Sequence, residues 1–153
     1  MKKLQKNFSY EFNDISLLKQ ALTHRSVSKN NNERLEFLGD SVLGCVISEE
    51  LYIRYPLIDE GQLSRLRSHL VRGQTLANLA KTLNISESLT LGQGELKSGG
   101  FRRESILADA FEAILGAIFL DSDYLIVKRI ILELFDDLLN QAKPEDSLKD
   151  FKT

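Results

Sequence analysis

The residues of this chain best placed to do chemistry are acids set among apolar neighbours. In Glu33-Arg34-Leu35-Glu36-Phe37-Leu38-Gly39-Asp40-Ser41-Val42 the carboxylates recur at i, i+3 and i+7. At about 100° per residue, Glu33, Glu36 and Asp40 fall within an arc of about 60°, and Leu35, Leu38, Val42, Cys45 and Val46 take the opposite, core-facing side. A second stretch, Leu107-Ala108-Asp109-Ala110-Phe111-Glu112-Ala113-Ile114, repeats the device. Asp109 and Glu112 lie one turn apart, Leu107, Phe111, Ile114 and Ile118 line the other face, and residues 106–120 hold no other charge. A half-buried carboxylate without a counter-charge is costly. No lysine or arginine stands three or four residues from Asp109 or Glu112 to supply one. A bound metal ion would supply it; a solvated acidic face would not need it. The chain has two histidines, His24 and His69, neither in a Glu-x-x-His pair, which argues against a di-iron bundle. Its single cysteine argues against a structural zinc site. Carboxylate oxygens suit Mg²⁺ or Mn²⁺, and such ions polarise phosphates and activate water for hydrolysis.

The elements that must hold these acids in place are helical. Apolar residues recur at helical spacing through Ile15–Leu22, from near Asn32 to just before Pro56, through Leu63–Val71 up to Gly73, and through Leu76–Leu83 up to Asn84. A loop rich in glycine follows (Gly92, Gly94, Gly99, Gly100), then two more helices, from about Glu104 to Leu120 and from about Asp123 to Gln141. Period-2 alternation is almost absent, so the pattern predicts an all-α chain. Residues 1–142 make one domain, and 143–153, which lose the periodicity, read as a linker or truncated tail.

Composition narrows the class. With 153 residues, 42% hydrophobic and 27% charged, the chain can bury a core and is neither disordered nor fibrous. No apolar run reaches the ~18 residues of a bilayer span, and Leu4-Gln5-Lys6-Asn7 stands where a secretory signal would be apolar. One cysteine fits a reducing compartment, and a cytoplasmic location is expected. The net charge of −2 excludes a grossly polycationic nucleic-acid binder, though not local basic surfaces.

The run Asn32-Glu33-Arg34-Leu35-Glu36-Phe37-Leu38-Gly39-Asp40-Ser41 resembles the signature motif of the ribonuclease III family. Ala21-Leu22-Thr23-His24-Arg25-Ser26, Asp59-Glu60-Gly61, Leu70-Val71-Arg72, Gly94-Glu95-Leu96-Lys97-Ser98-Gly99-Gly100 and Ile106-Leu107-Ala108-Asp109-Ala110-Phe111-Glu112-Ala113 are similar to bacterial members too, in the expected order. The resemblance covers about residues 5 to 142. It implies a helical endonuclease domain that cleaves double-stranded RNA with Mg²⁺, Mn²⁺ being able to substitute, in the processing of rRNA and mRNA precursors. Position by position, Asp40 and Glu112 match the active-site pair, Glu36, Asp109 and Glu112 the metal ligands, and Glu33 and Glu60 acids with a less direct role. Phe37 resembles an aromatic that packs into the partner of a homodimer, whose two sites would each cut one strand and leave short 3′ overhangs. Water as nucleophile implies 5′-phosphate and 3′-hydroxyl ends.

On the residues alone, Phe37 is either a core aromatic or an interface residue. Arg65, Arg67 and Arg72, with His69, give the acid-free segment 61–73 a local charge of +3, and Lys97, Arg102 and Arg103 flank the glycine-rich loop. These are phosphate contacts or ordinary helix-surface charges. His24 reads as a hydrogen-bonded structural histidine and Cys45, on the apolar face, as buried and inert. Bacterial members usually continue into a double-stranded-RNA-binding domain about where this chain stops, so weak, salt-dependent RNA affinity is expected. A non-catalytic RNA-binding scaffold and a plain helical dimerisation module are the competing readings; the complete set Glu36, Asp40, Asp109 and Glu112 favours the enzyme.

Overall fold

One segment of the chain is too apolar to face water, and the rest is wrapped around it. In the computed structural model, which describes residues 1–144, Ile106–Ala108 and Ala110–Ile118 are all buried. A helix that is apolar on every side belongs inside. In chain order the helices are α1 (Lys2–Asn7), α2 (Ile15–Ala21), α3 (Glu33–Arg54), α4 (Glu60–Leu70), α5 (Gly73–Thr82), the short α6 (Gln93–Lys97), α7 (Glu104–Asp121), α8 (Tyr124–Leu134) and α9 (Asp136–Gln141). Turns of 3₁₀ helix lie at Ile85–Ser88 and Gly100–Arg102. α7 is the central element, packed most extensively against α3 and then against α5 and α2. Among the described residues the only β pairing is a single parallel bridge between Thr23 and Thr90, so the all-α expectation holds. No described helix is long and apolar enough to cross a membrane. Of the tail expected at 143–153, residues 145–153 lie outside the described residues.

Helix starts follow local chemistry. Asp14, Asp59 and Asp123 each accept a hydrogen bond from a backbone N–H of the first turn (Ser16 at 3.0 Å, Gln62 at 2.9 Å, Ile126 at 2.9 Å), which satisfies donors that a helix otherwise leaves open. The glycine-rich region, expected as loop, holds α6. The N-terminal α1, not expected, is fastened by buried Leu4 and by Phe8 just beyond it, whose ring lies 6.1 Å from that of Phe111. The helix expected over 123–141 breaks at Phe135, which turns wholly into the core, its ring 6.3 Å from Phe111.

The buried face of α3 differs from the one inferred. It comprises Leu35, Gly39, Val42, Leu43, Val46, Ile47 and Leu51. Gly39 and Leu43 turn the core arc toward Glu36 and away from Cys45. The acids therefore border the core instead of lying across from it, and Cys45 is exposed, its sulfur 3.7 Å from the Tyr124 hydroxyl. Likewise α7 has no solvated acidic face: Glu112 is only 8% exposed.

The approach of α3 to α7 depends on two glycines. A methyl group on Gly39 would lie 1.7 Å from the Glu112 carbonyl oxygen, and one on Gly116 would lie 2.3 Å from the Leu35 carbonyl oxygen. Both are far inside van der Waals contact, so these helices meet backbone to backbone. Any side chain at either position would force them apart.

Candidate metal centre

This crossing sets four acids face to face. α3 contributes Glu36, half-buried, and Asp40, exposed; α7 contributes Asp109, half-buried, and Glu112, buried. Glu36, Asp109 and Glu112 each bring a carboxylate oxygen within 4.8 Å of the others'. Asp40 completes the group through a hydrogen bond with the Glu112 side chain.

Such crowding has an electrostatic signature. Burial, the hydrogen bond with Asp40 and the charges of Asp40, Glu36 and Asp109 push Glu112 up to about 9. Burial, then Asp109 as both charge and hydrogen-bond partner, then Glu33 and Asp40, push Glu36 up to about 7. Burial also raises Asp109, against the hydrogen bond from Glu36 and the basic side chains Arg25 and His24. The cluster thus retains protons at neutral pH because its acids are buried together, with more negative than positive charge around them. An all-oxygen donor set with that deficit fits a hard divalent cation, which would take the place of those protons.

The other expected site residues lie outside the group. Glu33 is exposed, its Oε2 3.9 Å from Arg25. Glu60 is exposed at the start of α4 and accepts a hydrogen bond from the Ser64 hydroxyl at 3.1 Å. Lys97 is exposed on α6; Arg103 pairs with Glu95 at 3.5 Å, and Arg102 is exposed beside it. On α4, Arg65 is half-buried and Arg67 donates to the Ser48 hydroxyl at 2.9 Å. Phe37 is 76% exposed, which removes the core reading. Its ring borders a groove of about 770 Å³ lined by Leu17, Gln20, Leu35, Leu38 and Leu120, with Glu33 and Arg34 at its charged side. His24 is hydrogen-bonded through Nδ1 to Ser26, in line with the structural expectation.

Two kinds of residue escaped the sequence pattern. Gly39 and Gly116 set the helix approach, and their only signal is glycine within a helix interior. Arg25, with His24 beside it, supplies the positive charge near Asp109 that was sought along α7 itself; both come from a loop more than 80 residues away in sequence.

Comparison with known proteins gives the family of this fold. The family model described as ribonuclease-III-like matches residues 14–138. The chain belongs to the ribonuclease III family. Ribonuclease 3 of Photorhabdus laumondii is 58% identical over 151 residues, covering 99% of this chain and 67% of that protein. A crystal structure of the nuclease domain of ribonuclease III from Campylobacter jejuni superimposes with a TM-score of 0.88 at 42% identity, covering 94% of this chain and 98% of that one. A second structure of that domain, concerned with flexibility in the region involved in its dimer formation, gives 0.87 at 44% identity, covering 89% and 96%. As a ribonuclease III family member the chain is an endonuclease, and the acids shared between α3 and α7 are its candidate active centre.

Proposed function

We propose that the chain hydrolyses phosphodiester bonds of double-stranded RNA with Mg²⁺, as a homodimer, leaving 5′-phosphate and 3′-hydroxyl ends with short 3′ overhangs. The observation that carries this reading is the cluster of Glu36, Asp109 and Glu112 within 4.8 Å, brought from two helices to one edge of the core. Those three carboxylates would hold the ion, and Mn²⁺ would serve in its place. Bound there, the ion supplies charge neutralisation at the phosphate and activation of water.

The protein's own contribution is positional. Asp40 fixes the Glu112 carboxyl through their hydrogen bond. The backbone-to-backbone contact at Gly39 and Gly116 keeps Glu36 on α3 opposed to Asp109 and Glu112 on α7. Glu33 and Glu60, outside the cluster, act as supporting acids. Lys97, Arg102 and Arg103 near α6, with Arg65 and Arg67 on α4, take RNA phosphates.

The homodimer rests on Phe37. An exposed aromatic beside a groove rich in leucine on the same surface is self-complementary under a two-fold axis: each copy offers one ring and one groove. Two identical sites would then face the two strands of one duplex. By resemblance to the ribonuclease III family, the chain's substrates would be rRNA and mRNA precursors, met in the cytoplasm.

The test is incubation of a duplex labelled on each strand, at low salt, with Mg²⁺ or with EDTA. Staggered cuts on both strands, in Mg²⁺ alone, are expected. Binding of the duplex without any Mg²⁺-dependent cut would favour an RNA-binding scaffold instead.

A further inference from the structure

A basic loop beside the acids has no part in the chemistry described so far. Residues 23–29 connect α2 toward α3 and carry His24, Arg25 and Lys29 with no acid. The loop is held firmly. Thr23 bridges to Thr90, the His24 N–H donates to the Thr90 carbonyl at 3.0 Å, the Thr90 N–H to the Leu22 carbonyl at 2.9 Å, and the Gly92 N–H to Ser26 Oγ at 2.8 Å. A methyl group at Gly92 would lie 2.6 Å from the Ser26 carbonyl oxygen, so glycine is what permits this approach.

The fastening also fixes the histidine ring. The Ser26 backbone N–H donates to His24 Nδ1 at 3.2 Å, and the Ser26 hydroxyl, already an acceptor for Gly92, lies 2.8 Å from the same nitrogen. A ring nitrogen that accepts from a backbone N–H carries no proton of its own. The proton of the neutral ring is therefore on Nε2, which is left as its donor. Next to it, the Arg25 side chain is 70% exposed and meets Glu33 at 3.9 Å, a distance and exposure at which an ion pair contributes little. With Lys29 and Ser28, these groups line an open hollow of about 620 Å³ that Glu33 and Glu95 also border, and the positive charge of Arg25 reaches Asp109.

We propose that this loop is a subsite for an RNA backbone phosphate flanking the one that is cut, with the Arg25 guanidinium and His24 Nε2–H as its donors. The proposal rests on the reading of the chain as a double-stranded-RNA endonuclease. An acidic centre repels a polyanion, and a fixed cation at its rim offsets that repulsion where the strand must lie. Guanidinium offers a planar pair of donors to a phosphate, a better match than the long contact it makes with Glu33.

The experiment measures binding of a fluorescent RNA duplex in EDTA over a range of KCl for the unaltered chain, Arg25→Ala and Arg25→Lys, with Mg²⁺ titrations of cleavage alongside. Arg25→Ala is expected to weaken binding about tenfold and to reduce the slope of log affinity against log salt by about one per subunit. Arg25→Lys should keep the slope and lose part of the affinity, and the Mg²⁺ midpoint should stay in place for both. An unchanged salt slope in Arg25→Ala with a shifted Mg²⁺ midpoint would make Arg25 a counter-ion of the acids and overturn the subsite alone. No duplex binding in EDTA together with no Mg²⁺-dependent cutting by the unaltered chain would remove the endonuclease reading and the subsite with it.

Discussion

Replacing Gly39 by alanine should separate the two halves of the metal centre. The added methyl would sit 1.7 Å from the Glu112 carbonyl oxygen, where ordinary contact begins near 3.4 Å. The obstacle is backbone, so no rotamer change relieves it, and α3 and α7 must part by roughly 1.5 Å. Overpacking of a core costs about 1–3 kcal/mol, and this site belongs at the upper end. For a chain of this size, about 3 kcal/mol lowers Tm by roughly 6–12 °C. The same displacement pulls Glu36 away from Asp109 and Glu112, and a misplacement of about 1 Å is enough to cost ~100-fold in rate. Gly44→Ala is the matched control, because a methyl there meets nothing within 4 Å on the same helix. It should be neutral or stabilising by up to about 1 kcal/mol through helix propensity. Urea melts and cleavage rates at saturating Mg²⁺, both well below the melting temperature, would be compared across the three proteins. A Gly39→Ala protein as stable and as active as Gly44→Ala would refute the account of the crossing.

Further predictions concern the acids, the N-terminal latch and the dimer. In EDTA, the folded chain binds more protons than the unfolded chain at intermediate pH, because Glu36 and Glu112 are pushed up to about 7 and about 9. Their stability contribution is therefore full below about pH 4 and is lost as pH rises through those values. Tm in EDTA should fall from about pH 5 to pH 9, less steeply for Glu112→Gln, and Mg²⁺ should restore it in the unaltered chain only; a Tm rising over that range would contradict the cluster. Asp121 accepts from the Tyr10 hydroxyl at 2.6 Å and from the N–H groups of Asn13 at 2.7 Å and Asp14 at 2.8 Å. Asp121→Ala should cost about 2 kcal/mol in urea melts, with cleavage per folded molecule unchanged; a matching loss of rate would place Asp121 in the site. Phe37→Ala should sediment as a monomer at concentrations where the unaltered chain is a dimer, and an unshifted dimer would remove Phe37 from the interface.

The acids were legible because charge inside an apolar helix is conspicuous: Glu36, Asp109 and Glu112 stood out by type and spacing before any geometry was known. Helix positions followed where periodicity was strong, as in α3 and α7. What stayed hidden depends on neighbours distant in sequence. Gly39 and Gly116 show their purpose only when two backbones meet, since a residue without a side chain leaves no mark on an apolar pattern. Leaving Gly39 and Leu43 out of the core arc also misplaced Cys45, which is exposed. The break at Phe135 was masked by continuous apolar periodicity on both sides of a ring that turns inward against Phe111. The positive charge facing Asp109 comes from Arg25, and a search confined to one helix could not find it.

The central claim is that carboxylates from α3 and α7 together make the metal site that drives cleavage. Its most direct test is the Mg²⁺ dependence of single-turnover cleavage of a labelled RNA duplex by the unaltered chain and by Glu112→Gln. The account predicts saturable, Mg²⁺-dependent cutting by the first, and for the second a loss of about 100-fold or more that excess Mg²⁺ does not restore. Cleavage by Glu112→Gln at the parental rate and Mg²⁺ midpoint would contradict it.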